Sequence, residues 1–295
     1  MTDNTGICIR PSSVNTFLQC PQQWYQVFIK GRTSIPNARA AIGTAIHKAA
    51  EQMWSDAIVH KEKNPNLSAM TDAAMEAFKE EGKKGLSYED GENAGTASVE
   101  IIKGTETYID DIVPFVSIPL AVESRVEIAI TDHPIVSALG GTIDHLESDA
   151  LSDIKTSKRT PTPGNYTIQQ SLYKYLAIAN GYLIEHTFIQ AVVLTKVPKG
   201  AILQMPIDMD LAKASVNSLL DTTEVYAKDI VNPDILFRGN PEYYLCSAKY
   251  CAFYNECKFV RGDAAKKTAK DAAVIASTEK QAKIQVVNTM DNVKL

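Results

Sequence analysis

The sequence contains no apolar run long enough to cross a membrane, and its start, MTDNTGICIR, does not resemble a signal peptide. An intracellular location is therefore expected. Excess positive charge is also absent, because 30 Lys and Arg face 35 Asp and Glu for a net charge of −5. This balance argues mildly against nonspecific coating of nucleic acid but still allows a local basic groove. No internal repeat is visible, so a repeat architecture is not expected.

Cysteines are few, and five thiols in an intracellular protein are more often free or metal-bound than paired as disulfides. Three of them, Cys246, Cys251 and Cys257, fall within the stretch CSAKYCAFYNEC. A closed metal site needs a fourth thiolate, for which Cys20, directly before Pro21, is the candidate. Four thiolates suit an iron–sulfur cluster or Zn²⁺. Unligated cysteines remain an alternative for these four, and Cys8 is expected to be unligated.

The hydrophobic pattern predicts helices in the first part of the chain. The first runs over about 37–60, with one apolar stripe made of Ile42, Ile46, Ala49, Met53 and Ala57. Two polar, alanine-rich helices are expected near 68–84 and 97–113. Together, residues 37–114 are predicted to be a helical insert that covers one side of the core.

After Pro119 the pattern alternates as in β-strands. Strands are predicted over 119–130, 135–147, 150–156, 186–197 and 201–209, with helices over 164–181 and 211–230. This order predicts an α/β (α+β) fold with a mixed central sheet flanked by helices. Residues 1–261 are expected to form one domain and residues 262–295 a polar tail.

The predicted hairpin GGTIDHLESDALSDIKT, residues 140–156, carries the residues that indicate chemistry. Asp153 and Lys155 are two apart on one strand, so their side chains point to one face. A short turn places Asp144 beside Asp153, and two converging carboxylates need a cation between them. Oxygen ligands of this kind suit Mg²⁺ or Mn²⁺, with Lys155 beside the bound water, as in metal-assisted phosphodiester hydrolysis. The alternative for this motif alone is a solvated ion pair.

Residues on neighbouring elements strengthen the chemical interpretation. Gln169 and Tyr173 are four apart on a predicted helix and therefore share a face. In GTAIH, Gly43 permits close approach of a helix and His47 offers an imidazole. Glu123 is the candidate for a third acid in the site. Glu127 is the alternative candidate, because it lies on the same strand face.

The ordered series CPQQWY, GTAIH, VESRV, GGTID, DIKT and QQSLY resembles the RecB-type branch of the PD-(D/E)XK nuclease superfamily over about residues 12–257. It is also similar to CRISPR-associated spacer-acquisition nucleases and to stand-alone viral exonucleases. The resemblance implies a restriction-endonuclease-like core with Lys155 as the catalytic lysine. It further implies a metal site of Asp144, Asp153 and the Ile154 carbonyl, completed by His47 and Glu123, and a Gln169–Tyr173 pair contacting the substrate phosphate region.

The same resemblance implies a [4Fe–4S] cluster held by Cys20, Cys246, Cys251 and Cys257. Such a cluster would join residues 12–20 and 240–261 into one subdomain at the ends of the fold. Four residues separate the first two late cysteines, whereas two are usual in the family, so zinc remains an alternative.

Basic and aromatic residues predict where DNA binds. Lys158, Arg159 and Lys174 are expected around the site, and a second basic group falls in the cysteine region and early tail: Lys249, Lys258, Arg261, Lys266, Lys267 and Lys270. The aromatic residues there either stack bases or pack around the cluster: Tyr243, Tyr244, Tyr250, Phe253 and Tyr254.

The leading hypothesis is a metal-dependent DNA nuclease, specifically an exonuclease acting on single strands or duplex ends. Recombination, repair, viral DNA processing and CRISPR adaptation are the processes that the resemblance suggests. They imply a cytoplasmic location in a bacterial, archaeal or virus-infected cell, a possible recombination or adaptation partner, and possible oligomers. The alternative is a catalytically silent nucleic-acid-binding or assembly subunit with a zinc or iron–sulfur structural site, against which the complete set of acids and lysine argues.

Overall fold

The computed structural model describes residues 6–33, 35–83, 85–89, 91–228 and 231–260. The predicted polar tail, residues 262–295, lies outside these residues, as do Arg261, Lys266, Lys267 and Lys270.

Over residues 38–228, helices and strands follow one another in the order predicted from the sequence. The helices are α1 (Pro11–Gln19), α2 (Pro21–Trp24), α3 (Ala38–His60), α4 (Leu67–Gly82), α5 (Ala94–Asp111), α6 (Thr167–Ala179), α7 (Met209–Lys228) and α8 (Pro233–Leu236). The strands are β1 (Ile7–Ile9), β2 (Ala121–Ala129), β3 (Val136–Leu146), β4 (Ala150–Ser157), β5 (His186–Val193) and β6 (Lys199–Gln204). Strand β1 and helices α1, α2 and α8 lie outside those predictions. A π-helical turn (Tyr25–Ile29) continues α2. Among the described residues, no helix is both long and apolar enough to span a membrane.

The strands form one mixed sheet in the order β1-β3-β4-β5-β6, with β2 on the other edge of β3. Strands β2 and β3 are antiparallel, whereas β4 and β5 are parallel and are joined through α6. Strand β3 pairs with β4 at His145 and Leu146 and, nearer its start, with β1 instead. The two strands of the predicted hairpin therefore part immediately beyond the turn, at the level of Asp144 and Asp153. The predicted mixed sheet flanked by helices is confirmed.

Two hydrophobic layers cover the sheet. Helices α3, α4 and α5 pack with Ile154 of β4 and Val192 of β5, whereas α1, α6 and α7 pack with Ile143 and Leu151 on the other layer. The whole predicted apolar stripe of the first long helix, from Ile42 to Ala57, is buried. Helix α3 contacts β2 and β4 directly, so the segment predicted to be an insert carries the helix that lies against the hairpin.

Local signals explain where the helices beside the site begin and end. The Asn37 side chain accepts a hydrogen bond from the Arg39 N–H at 2.7 Å and caps the start of α3. Helix α6 ends at Asn180-Gly181, where Gly181 has φ +91°, a backbone conformation that favours glycine. The two ends of the fold meet where the Asn240 side chain donates to the Gln19 carbonyl, 2.9 Å away.

Candidate active site

Beyond the hairpin turn, β3 and β4 separate, and no backbone pairing lies between Asp144 of β3 and Asp153 of β4. Oδ2 of Asp144 accepts a hydrogen bond of 2.7 Å from the Ile154 N–H. The Asp144 carboxylate therefore accepts a hydrogen bond from a backbone N–H of β4, at the point where the backbone pairing of β3 with β4 has ended. Ile154 itself is buried in the α3 layer. Its carbonyl as a metal ligand stays a prediction.

Asp153 and Lys155 form an ion pair on the same face of β4, as their spacing predicts. Lys155 Nζ lies 2.5 Å from Asp153 Oδ2, and Asp153 is buried. Burial raises the pKa of Asp153 against the effect of Lys155, with the Asp144 charge adding to the rise. Burial alone would lower the pKa of Lys155, but the charge and the hydrogen bond of the Asp153 carboxylate together have the larger effect, so the pKa of Lys155 is raised. Each charge thus depends on its partner.

Helix α3 brings an imidazole to the same edge. His47 Nδ1 lies 3.5 Å from Asp144 Oδ2. One turn earlier, a Cβ on Gly43 would lie 2.8 Å from Oγ1 of Thr156 in β4, closer than real Cβ atoms come to other atoms. Glycine at position 43 therefore lets α3 approach β4 closely enough for His47 to reach Asp144, as the GTAIH motif predicts.

Glu123 completes a group of three side chains whose ligand atoms are close enough together to hold a metal ion. One ligand atom from each of His47, Glu123 and Asp144 lies within 4.8 Å of the other two. Glu123 has φ +48°, a strained conformation for a non-glycine residue in a strand, and such strain is common at functional sites. Desolvation, followed by the charges of Asp144 and Glu51, raises the pKa of Glu123 to about 7. The repulsion by these two carboxylates is the part of the shift that a bound cation would offset.

The sequence could not decide between Glu123 and Glu127, but their positions differ clearly. Glu127 pairs with Arg125 and lies 3.7 Å from the Cys8 sulfur, beside β1. It is therefore part of a surface cluster away from His47.

The donor set of this group fits a divalent cation. Two carboxylates offer the oxygen ligands that Mg²⁺ and Mn²⁺ accept, and His47 adds a nitrogen ligand that Mg²⁺ disfavours more than a transition metal does. The three side chains therefore have the donor atoms and the spacing to hold a divalent metal ion.

Helix α6 supplies the amide and phenol that the sequence predicts. Gln169 Nε2 lies 3.5 Å from Asp153 Oδ1, and both side chains are buried. Tyr173 packs against β3, where a Cβ on Gly141 would lie 2.9 Å from its ring. Burial, with Asp153 and Asp144, raises the pKa of Tyr173. Gly141 was not recognised from the sequence as the residue that admits this ring.

The three basic residues predicted around the site have different surroundings. Lys158 lies 3.6 Å from Glu89 and 3.4 Å from Glu92. Lys174 donates to the Glu185 carbonyl at 2.8 Å, at the start of β5. Arg159 is exposed just beyond β4. Their role in DNA binding stays a prediction.

The four cysteines predicted to hold a metal cluster lie together in the structure, although Cys20 is remote in sequence from the other three. Cys20, Cys246, Cys251 and Cys257 line one small cavity between the end of α1 and the last described segment. Burial, followed by the neighbouring thiols, raises the pKa of Cys246. Cys8 lies elsewhere, on β1.

The model of the PD-(D/E)XK nuclease superfamily matches residues 9–258, and the chain belongs to that superfamily. It is a nuclease by family, with the predicted restriction-endonuclease-like core.

One solved structure supports the fold and a second is too distant to carry an argument. A candidate exonuclease from Eubacterium rectale, known from a crystal structure, matches with a TM-score of 0.50 at 10% identity, over 73% of this chain and 78% of that one. The structure of SSO0001 matches with a TM-score of 0.31 at 15% identity, over 48% of this chain and 60% of that one. No curated protein matches in sequence.

Proposed function

We propose that this protein is a metal-dependent DNA exonuclease that acts on single strands or duplex ends. The observation that carries the proposal is the convergence of His47, Glu123 and Asp144 beside the Asp153–Lys155 ion pair. This edge combines a cation-binding group with a lysine, as phosphodiester hydrolysis requires.

The chemistry divides between the cation and the side chains around it. Bound there by His47, Glu123, Asp144 and Asp153, a divalent cation would supply Lewis acidity and lower the pKa of water. Lys155 can donate a hydrogen bond to the attacking water or to a phosphate oxygen. Gln169 holds Asp153 in place, and Tyr173 closes the site on the α6 side, which keeps the reacting groups apart from bulk water.

Exonuclease activity is the finer part of this proposal. It is supported by the resemblance to stand-alone viral exonucleases and by the structural similarity to the candidate exonuclease from Eubacterium rectale. The proposed setting is cytoplasmic DNA processing in recombination, repair, viral replication or CRISPR adaptation, with protein partners of those processes.

The test is degradation of end-labelled single-stranded and duplex DNA with Mg²⁺, Mn²⁺ or chelator. We expect loss of label from linear DNA, no cutting of circular single strands, and no activity with chelator. Asp149→Asn, an exposed aspartate in the turn of the same hairpin, is the matched control for Asp153→Asn and should keep full activity. DNA binding without cleavage in any metal would instead support the catalytically silent binding subunit.

We also propose that the four cysteines hold a [4Fe–4S] cluster. The four cysteines line one small cavity although Cys20 is remote in sequence from the other three. Four thiolates suit an iron–sulfur cluster, and zinc is the alternative. Brown, anaerobically purified protein with iron and acid-labile sulfide would support the cluster, and colourless protein with stoichiometric zinc would replace it.

A further inference from the structure

A groove of about 650 Å³ lies between the start of α3 and residues 243–257, which are called the cysteine segment below. Its lining includes Arg39 and Ala40 of α3, Glu89 of the loop between α4 and α5, and Lys249 and Tyr250 of the cysteine segment. These five residues define the α3 groove. It is polar and charged, and none of them was placed in the metal-binding group.

The α3 groove leads along α3 toward the candidate active site. Ala40 lies one turn before Gly43, where α3 contacts Thr156 of β4, and His47 lies one turn further on. Lys158, three residues after Lys155 in the chain, lies 3.6 Å from Glu89 of the groove. A strand with one phosphate beside Lys155 would therefore continue past the end of β4 into the groove.

The Glu89 carboxylate lies between two lysines that come from different parts of the chain. Its Oε1 lies 3.1 Å from Nζ of Lys249, and its Oε2 lies 3.6 Å from Nζ of Lys158, just beyond β4. Lys158 also lies 3.4 Å from Glu92, which pairs with Arg39. The two lysine side chains remain 54% and 51% exposed. The Glu89 side chain is 22% exposed, but both cations face solvent, where ion pairs are weak, so a competing anion can replace the carboxylate.

Exposed tyrosines stand next to these cations. Tyr250 is 49% exposed in the groove wall, with Lys249 Nζ 4.9 Å from its ring centre. Tyr244, from the same segment, is 78% exposed and meets Tyr243 edge to face. The exposed rings of Tyr250 and Tyr244 are therefore open to an unpaired base.

We propose that the α3 groove binds the single strand that extends from the active site, with a backbone phosphate replacing the Glu89 carboxylate between Lys158 and Lys249 and a base stacked on Tyr250. The inference rests on the proposed nuclease function and specifies its substrate as single-stranded. A duplex keeps its bases stacked on one another, whereas an unpaired base can offer its face to an aromatic ring. Glu89 then competes with the strand for the same two cations.

The test measures binding of fluorescent oligothymidine and of a hairpin duplex to the full-length protein in chelator, where metal-dependent cleavage is blocked. Glu89→Gln should tighten single-strand binding severalfold. Tyr250→Ala should weaken it roughly five- to hundredfold, as for other stacked bases. Lys249→Ala should reduce the slope of log affinity against log salt by about 0.7, the loss of one phosphate contact.

Matched controls exist on α6 and α7. Lys213 lies 5.9 Å from the Tyr175 ring centre, a pair like Lys249 and Tyr250 but away from the groove. Glu224 pairs with Lys228 at the end of α7. Tyr175→Ala and Glu224→Gln should leave binding unchanged. Each groove variant should keep the metal content and melting temperature of the wild type.

A double mutant separates direct competition from a general charge effect. If Glu89 competes for Lys249, the gain from Glu89→Gln should shrink in a Lys249→Ala background. Unchanged or weaker binding by Glu89→Gln, unchanged binding by Tyr250→Ala, or equal effects on the hairpin duplex would overturn the proposal. Such results with intact metal-dependent cleavage would refute only the groove, whereas the expected binding changes without any cleavage would refute only the nuclease function.

Discussion

Gly43→Ala is the most informative single change, because it tests how the fold positions an active-site residue without altering that residue. The added Cβ would lie 2.8 Å from Thr156 Oγ1, and α3 must move away from β4. Thr156 is β-branched, so rotating its side chain brings a methyl group toward the same space. Overpacking of this kind costs about 1–3 kcal/mol. Alanine returns up to about 1 kcal/mol through its helix propensity.

The net loss in the free energy of unfolding is therefore about 0–3 kcal/mol. Metal binding should also weaken, because His47 moves with α3 while Asp144 stays on β3. Displacing a residue that orients a ligand commonly weakens metal binding on the order of tenfold or more. The assay is a Mn²⁺ titration of DNA cleavage, together with urea unfolding of the same protein.

Two further variants decide whether this reasoning is correct. Thr156→Ala removes the colliding atom, so the double variant Gly43→Ala Thr156→Ala should regain most of the Mn²⁺ affinity. Gly82, at the end of α4, has no atom within 4 Å of a built Cβ, and Gly82→Ala should leave the titration unchanged. An unshifted Mn²⁺ midpoint in Gly43→Ala would refute the claim that this glycine sets the position of His47.

Three other predictions follow from the same contacts. His47→Ala should raise the Mn²⁺ concentration needed for cleavage and reduce the preference for Mn²⁺ over Mg²⁺, because the nitrogen ligand is lost; the readout is activity titrated with each metal. Gly141→Ala should lower stability by about 1–3 kcal/mol, since its Cβ would lie 2.9 Å from the Tyr173 ring; thermal or urea unfolding measures this. Cys20→Ser should lower the iron content and the solubility of anaerobically purified protein, because the cluster's binding energy is part of the folding energy, whereas Cys8→Ser should do neither.

Each of these predictions has an outcome that contradicts it. An unchanged metal titration with a lower melting temperature would make His47 a structural histidine. Gly164→Ala, with no atom within 4 Å of its Cβ, should be neutral, and equal losses in both glycine variants would remove the packing explanation. Metal-free protein whose four clustered thiols are alkylated in the folded state would eliminate both the cluster and zinc.

The fold was predictable wherever the pattern is local and long. The buried stripe of α3 repeats every three or four residues, and the alternation of β2 and β3 repeats every two, so both elements are visible in the sequence. The spacing of Asp153 and Lys155 fixed their common face, and the short turn fixed Asp144 beside them. Strand β1, at three residues, is too short to give such a pattern.

The other features of the site depend on contacts between segments that are far apart in the chain. A local repeat of apolar residues cannot predict such contacts. Glu123 and Glu127 share a strand face, and only the strained backbone at Glu123 and the position of His47 separate them. Likewise, the contact of Lys158 and Lys249 with Glu89 joins three segments far apart in the chain. Such convergence appears only once the layers have packed.

The central claim is that the edge formed by β3, β4 and α3 hydrolyses DNA with a bound divalent cation. The most direct test is the single-turnover cleavage rate of end-labelled single-stranded DNA at saturating Mn²⁺, compared between the wild type and Asp153→Asn. Loss of this buried carboxylate should slow cleavage on the order of a thousandfold or more, because several kcal/mol of barrier lowering disappear, while the melting curve stays cooperative. A folded Asp153→Asn protein that cuts at a rate near the wild type would contradict the account.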